Sequence, residues 1–110
     1  MPSKFEYAQL KAGELVSSPI PTREKVLVSV VASHPVKVRV LGAMEEGDQF
    51  YPLSVQPGPP DSEIDLADGI VLFSVAYMQG VAEMKFELTD AKALKEDVEF
   101  KAFLRTFPND

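Results

Sequence analysis

A chain of 110 residues with a net charge of −6 and no cysteine or tryptophan is long enough for one domain, burying roughly two-thirds of its unfolded surface in a single core. The lack of cysteine excludes disulfides, thiolate metal sites and thiol nucleophiles, and suits synthesis in a reducing compartment. No stretch has the apolar length of a signal-peptide core or a bilayer span, so a cytoplasmic product with no membrane partner is expected.

Residues 1–13 read as an N-terminal arm or first strand, with Phe5 and Tyr7 on one side and Glu6 and Ala8 on the other. Residues 14–110 read as a single β domain. Glu14–Ser17 forms a short strand ended by Ser18-Pro19-Ile20-Pro21, because two prolines so close cannot both donate to a ladder. In Val26–Ala32 both faces are largely apolar, with Val26, Val28, Val30 and Ala32 opposite Leu27, Ser29 and Val31, as in a central strand. Ser33-His34-Pro35 then reads as a hairpin turn into Val36–Val40, where Val36, Val38 and Val40 face inward and Lys37 and Arg39 outward.

Glu45-Glu46-Gly47-Asp48 is a second turn. Gln49–Val55 follows, demoted to an edge or bulge by Pro52. Gln56-Pro57-Gly58-Pro59-Pro60 is a stiff extended loop. Ser62–Leu66 alternates as a half-buried strand. Ile70–Tyr77 places Val71, Phe73, Val75 and Tyr77 on one face, and Met78-Gln79-Gly80 turns the chain into Val81–Leu88. There Ala82, Met84, Phe86 and Leu88 point inward. After the N-cap pair Thr89-Asp90, the composition of residues 91–96 predicts a short helix. The last strand, Val98–Phe107, has Val98, Phe100, Ala102 and Leu104 inside and Glu99, Lys101, Phe103, Arg105 and Phe107 outside. Short strands and turn signals at this spacing predict an all-β antiparallel two-sheet β-sandwich, jelly-roll or immunoglobulin-like, of about seven to nine strands.

Nothing in the chain has the pattern of a catalytic or cofactor site. His34 is the only histidine, set in a turn before proline without partners for metal binding or nucleophilic chemistry. Asp61, Glu63 and Asp65 fall at the first, third and fifth positions of an EF-hand loop. Leu66 and Leu72, however, stand where glycine and a bidentate glutamate are needed. Strand alternation accounts for the same carboxylates. Gly-rich phosphate loops and nucleophile elbows are missing, so no catalytic, metal or cofactor residue is assigned and no small-molecule substrate is expected. Between Val40 and Met84 there is no lysine or arginine, only acidic charge, which disfavours nucleic acid as a partner. The outward apolar side chains carry more information. Phe5, Tyr7, Leu27, Val31, Leu41, Phe103 and Phe107 give more outward apolar surface than a monomer ordinarily shows; either another element of the same chain covers them or they are the candidate interface with another subunit or partner protein.

The stretch Lys25–Asp90 resembles small all-β virion proteins of tailed bacteriophages, of the capsid decoration or cement type. The likeness runs through the strand pair in Val26–Val40 and the turn Glu46-Gly47-Asp48 with Gln49-Phe50-Tyr51-Pro52-Leu53. It continues through Asp68-Gly69, Ile70–Tyr77 and Met84–Asp90. Phe50-Tyr51 stands where such proteins often carry tryptophan. The resemblance implies a homo-oligomer, often a trimer, bound to the major capsid protein on the outer surface of the virion. It brings no catalytic residues. A phage tail or fibre component and a carbohydrate-binding β-sandwich module are the alternative readings.

Overall fold

The computed structural model describes residues 5–22, 27–47, 49–53, 55–56, 63–67, 69–75, 81–90 and 92–105. They form ten strands: β1 (Phe5–Leu10), β2 (Ile20–Pro21), β3 (Leu27–Ala32), β4 (Lys37–Ala43), β5 (Tyr51–Pro52), β6 (Val55–Gln56), β7 (Ile64–Asp65), β8 (Val71–Val75), β9 (Glu83–Leu88) and β10 (Val98–Arg105). The first sheet has the order β1-β10-β3-β8-β6. The second has β2-β9-β4-β5, with β7 also paired to β4. Every pairing is antiparallel.

The two sheets share one core. Period-2 alternation puts Val98, Phe100, Ala102 and Leu104 of β10 inside, each almost fully buried, with Ala8 and Leu10 of β1 and Val28 and Val30 of β3 beside them. The second sheet answers with Met84, Phe86 and Leu88 of β9 and Val38 and Val40 of β4. Phe86 and Phe100 stack across the interior with ring centroids 4.7 Å apart. Each of the larger of these side chains stabilises the fold by about 1.5–3 kcal/mol through burial, so the sheets form a sandwich-like two-layer body rather than independent units. The central position predicted for Val26–Ala32 is that of β3, third of five in its sheet.

Partner choice departs from the sequence expectations. Every connection except β4 to β5 carries the chain from one sheet to the other. Ser33-His34-Pro35 is therefore a crossover and not a hairpin turn: β3 pairs with β10 and β8, while β4 pairs with β9, β5 and β7. Strands β8 and β9 are likewise not a hairpin, and the Met78-Gln79-Gly80 turn lies outside the described residues. Gln49–Val55 is split between the sheets as β5 and β6. Pro52 does sit on an edge, where a missing N–H costs no ladder bond. Ile20–Pro21, expected to end a strand, is itself an edge strand along β9, while Val16 contributes an isolated bridge to Glu87.

The short helix expected near 91–96 is not formed. Residues 92–97 are irregular, and Ala91 lies outside the described residues. Six residues give too few internal hydrogen bonds to offset helix nucleation. The segment is held instead by tertiary bonds: Gly13 N–H donates to the Leu94 carbonyl at 3.0 Å and Ala12 N–H to Asp97 Oδ1 at 2.8 Å. No helix among the described residues is long and apolar enough to cross a membrane.

Candidate functional site

His34 is exposed in its crossover. Its Nε2 lies 2.8 Å from Glu96 Oε2, and its Nδ1 is 3.2 Å from Ser33 Oγ. Both ring nitrogens are engaged at the surface, which is how a turn residue behaves. Among the described residues, no three His, Cys, Asp or Glu side chains come together as a metal-holding group. Glu63 and Asp65 are exposed, as strand alternation requires, and Glu63 accepts a hydrogen bond from Thr89 Oγ1. Asp61 and Asp68 lie outside the described residues. A concavity of about 260 Å³ opens beside Lys37, Asp65, Asp90 and Lys92, but charges of both signs line it without converging on one ligand group.

The outer face of the first sheet is different in kind. Register aligns two rows across it. One runs Phe5, Phe103, Ser29, Leu72; the other runs Tyr7, Lys101, Val31. The close approach within these rows follows from the ladder. Gln9 directs its main-chain groups to Ser18 rather than to β10, its N–H donating to Ser18 Oγ and its carbonyl accepting from Ser18 N–H. Glu99 likewise turns to Ser33. Gln9 and Glu99 are thus a non-hydrogen-bonded pair. By alternation so are Phe5 and Phe103, the class in which facing side chains come closest. Their ring centroids are 5.2 Å apart and tilted by 55°.

Two cations sit on these rings: Lys101 Nζ 4.3 Å from the Phe5 centroid and the Arg105 guanidinium 5.6 Å from that of Phe103. Each contact is worth about 0.5–1 kcal/mol at an exposed site. Phe5 is 51% exposed and Tyr7 55%, and at the strand opposite, Ile70 and Leu72 are 67% and 66% exposed. Four of the exposed large apolar side chains of the described residues thus gather on this one face. A groove of about 200 Å³ runs between Phe5, Phe103, Val31 and Ile70, with Lys101 on its wall.

Five of the seven residues singled out in the sequence therefore meet on one face: Phe5, Tyr7, Leu27, Val31 and Phe103, with Leu27, Val31 and Phe103 half-buried. Leu41 does not. It lies in the second sheet and is buried, flanked by Pro52 and Lys85 on the neighbouring strands, which corrects its placement on an uncovered face. Phe107 lies outside the described residues. Ile70 and Leu72 were missed by sequence reasoning. The signal was present in the unbroken apolar run Ile70-Val71-Leu72-Phe73, since in a strand one parity of such a run must face away from the core. The cationic role of Lys101 and Arg105 was equally legible from their parity with Phe103. At the edge of the second sheet, Met44 (66% exposed) and Tyr51 (50%) form a smaller apolar corner next to Glu45 and Glu46.

No family model matches the chain, and no curated protein matches it. Among solved structures it is similar to the SPBc2 prophage-derived protein YomS, with a TM-score of 0.53 at 11% sequence identity. The match covers 94% of this chain and 96% of YomS. At that identity the two share a fold, from end to end.

Proposed function

We propose that the protein is a non-enzymatic virion structural protein of a bacteriophage, one that decorates the capsid and stabilises it. The observation that carries this reading is the aromatic outer face of the first sheet, a preformed surface for another protein, with its rings already fixed by cross-strand packing. Half-exposed aromatics of this kind become anchors when a partner excludes the remaining water from them. The phage context comes from the fold shared with a prophage-derived protein and from the resemblance in the turns and strands of Lys25–Asp90.

The partner in this reading is the major capsid protein, and the protein binds as a homo-oligomer, a trimer by the family resemblance, on the outside of the virion. Stabilisation needs no chemistry. A ligand that binds the assembled shell and not its separated subunits shifts the equilibrium toward assembly, by about 2.7 kcal/mol per site when present at a hundred times its dissociation constant. Apolar contact area supplies the binding.

The test is co-sedimentation of the purified protein with undecorated phage heads, followed by heating of the heads with and without it. Binding together with a higher temperature of DNA release is the expected result. Binding to isolated tails instead would move the protein to the tail or fibre. Binding to glycans on an array, with none to phage particles, would replace the proposal with a carbohydrate-binding module.

A further inference from the structure

The groove on the outer face of the first sheet has a complement elsewhere on the same molecule. Met44 projects from the turn after β4, 66% exposed, with exposed Glu45 and Glu46 following it. The turn is held in shape. Gly47 takes a left-handed φ of 78° and its N–H donates to Glu83 Oε1 at 3.1 Å, while Ala82 N–H donates to the Ala43 carbonyl at 2.8 Å. An unbranched, adaptable side chain is thus presented at a fixed place with two carboxylates beside it. The groove offers the reverse: an apolar floor between Phe5, Phe103 and Ile70, with the ammonium of Lys101 and the guanidinium of Arg105 over the rings.

We infer that this groove receives the Met44 turn of a second copy of the chain, with Glu45 and Glu46 of that copy meeting Lys101 and Arg105. The inference rests on the reading of this face as an interface and names the occupant of its groove, leaving Tyr7, Leu27 and Leu72 outside the groove for the capsid. Charge decides between the geometries available to two copies. A two-fold contact of face against face would set the cations of one copy against the aromatic patch of the other, with Glu99 the one carboxylate among the described residues of that face to answer both. The turn brings two carboxylates to two cations. The contact is therefore head-to-tail, and in a finite particle it closes into a ring. It also uses the stretch from Val40 to Met84 that lacks any basic residue, since an acidic surface is drawn to the basic wall of the groove and repelled by its own kind.

Light scattering coupled to size exclusion tests this on the full chain. The wild type should run as a discrete oligomer. Met44→Glu and Lys101→Glu, both at exposed positions, should each weaken assembly at least tenfold while keeping the circular dichroism of the wild type. Combining Lys101→Glu and Arg105→Glu with Glu45→Lys and Glu46→Lys in one chain restores opposite charges across the contact and should recover the oligomer. A wild type that stays monomeric at high concentration overturns the inference. So does an oligomer indifferent to both single substitutions, or a failure of the charge swap to recover assembly. The outcome is separable from the proposed function. A ring that ignores phage heads refutes decoration and leaves the contact standing, whereas a monomer that decorates heads does the opposite.

Discussion

Gly42 is the next-to-last residue of β4, where a β-carbon would stand 2.8 Å from the Cγ and both Cδ atoms of Leu53. The absence of a side chain, not backbone freedom, is what the position uses, because Leu53 packs over it onto the core. Gly42→Ala is expected to cost about 1–3 kcal/mol through overpacking, read as a lower urea midpoint with unchanged slope. In a Leu53→Ala background the same substitution should cost much less, since the atom it meets is gone. Additive costs would show that the close approach is not the cause. Phe100 gives the opposite case. Truncating it to alanine removes the ring stacked on Phe86 and should cost about 3–5 kcal/mol, measured by the same denaturation. At this scale most of the structure was legible. Inward residues such as Val98, Phe100 and Met84 follow from alternation alone. Leu41 shows the limit: its parity is outward, yet whether an outward residue is covered depends on which strands and loops lie over it, and alternation carries no information about those.

Ser17 joins two elements that alternation cannot connect. It is buried in the segment between β1 and β2, and its Oγ accepts the Phe86 N–H at 3.0 Å while donating to the Ser18 carbonyl at 2.9 Å. Its own N–H donates to the Phe86 carbonyl at 2.9 Å. A side-chain oxygen thus stands in for a main-chain acceptor on the flank of β9 away from β4, between the β2 pairing and the Val16 bridge. Ser17→Ala leaves the Phe86 N–H buried without an acceptor and should destabilise by about 1–3 kcal/mol. Hydrogen exchange locates the effect: the Phe86 amide should lose protection more than its β9 neighbours, and uniform loss along the strand would contradict a local latch. Such links explain why hairpins were misread. Ser33-His34-Pro35 has the composition of a tight turn, but Ser33 bonds back to Glu99 of β10 through both its N–H and its Oγ. The same residues that make a hairpin turn also make a crossover when a third strand satisfies their main chain.

Across the whole molecule, the chain alternates between the sheets at every connection but one, and the N-terminal strand β1 pairs with the C-terminal strand β10. Neither sheet can complete itself until segments from both halves of the sequence are in place. Both sheets also contribute to one core, joined by the Phe86–Phe100 stack. Two consequences follow for folding. Unfolding should be a single cooperative transition, so far-ultraviolet dichroism and the near-ultraviolet signal of the phenylalanines and tyrosines should trace the same urea curve. Refolding should be slow for a chain this short, on the order of milliseconds to seconds, because long loops must close before the pairings they permit stabilise anything. Stopped-flow mixing checks the rate, and microsecond folding or two separated equilibrium transitions would show that one sheet forms without the other. The same interleaving bears on the proposed surface. The outer face of the first sheet takes its rings from β1 and β10 and its aliphatic side chains from β3 and the start of β8, so the face proposed to bind comes into being only when the whole chain has folded. A partially folded chain would present Phe5 and Phe103 apart and bind nothing through them, so the proposed assembly would be tied to completed folding without any further control.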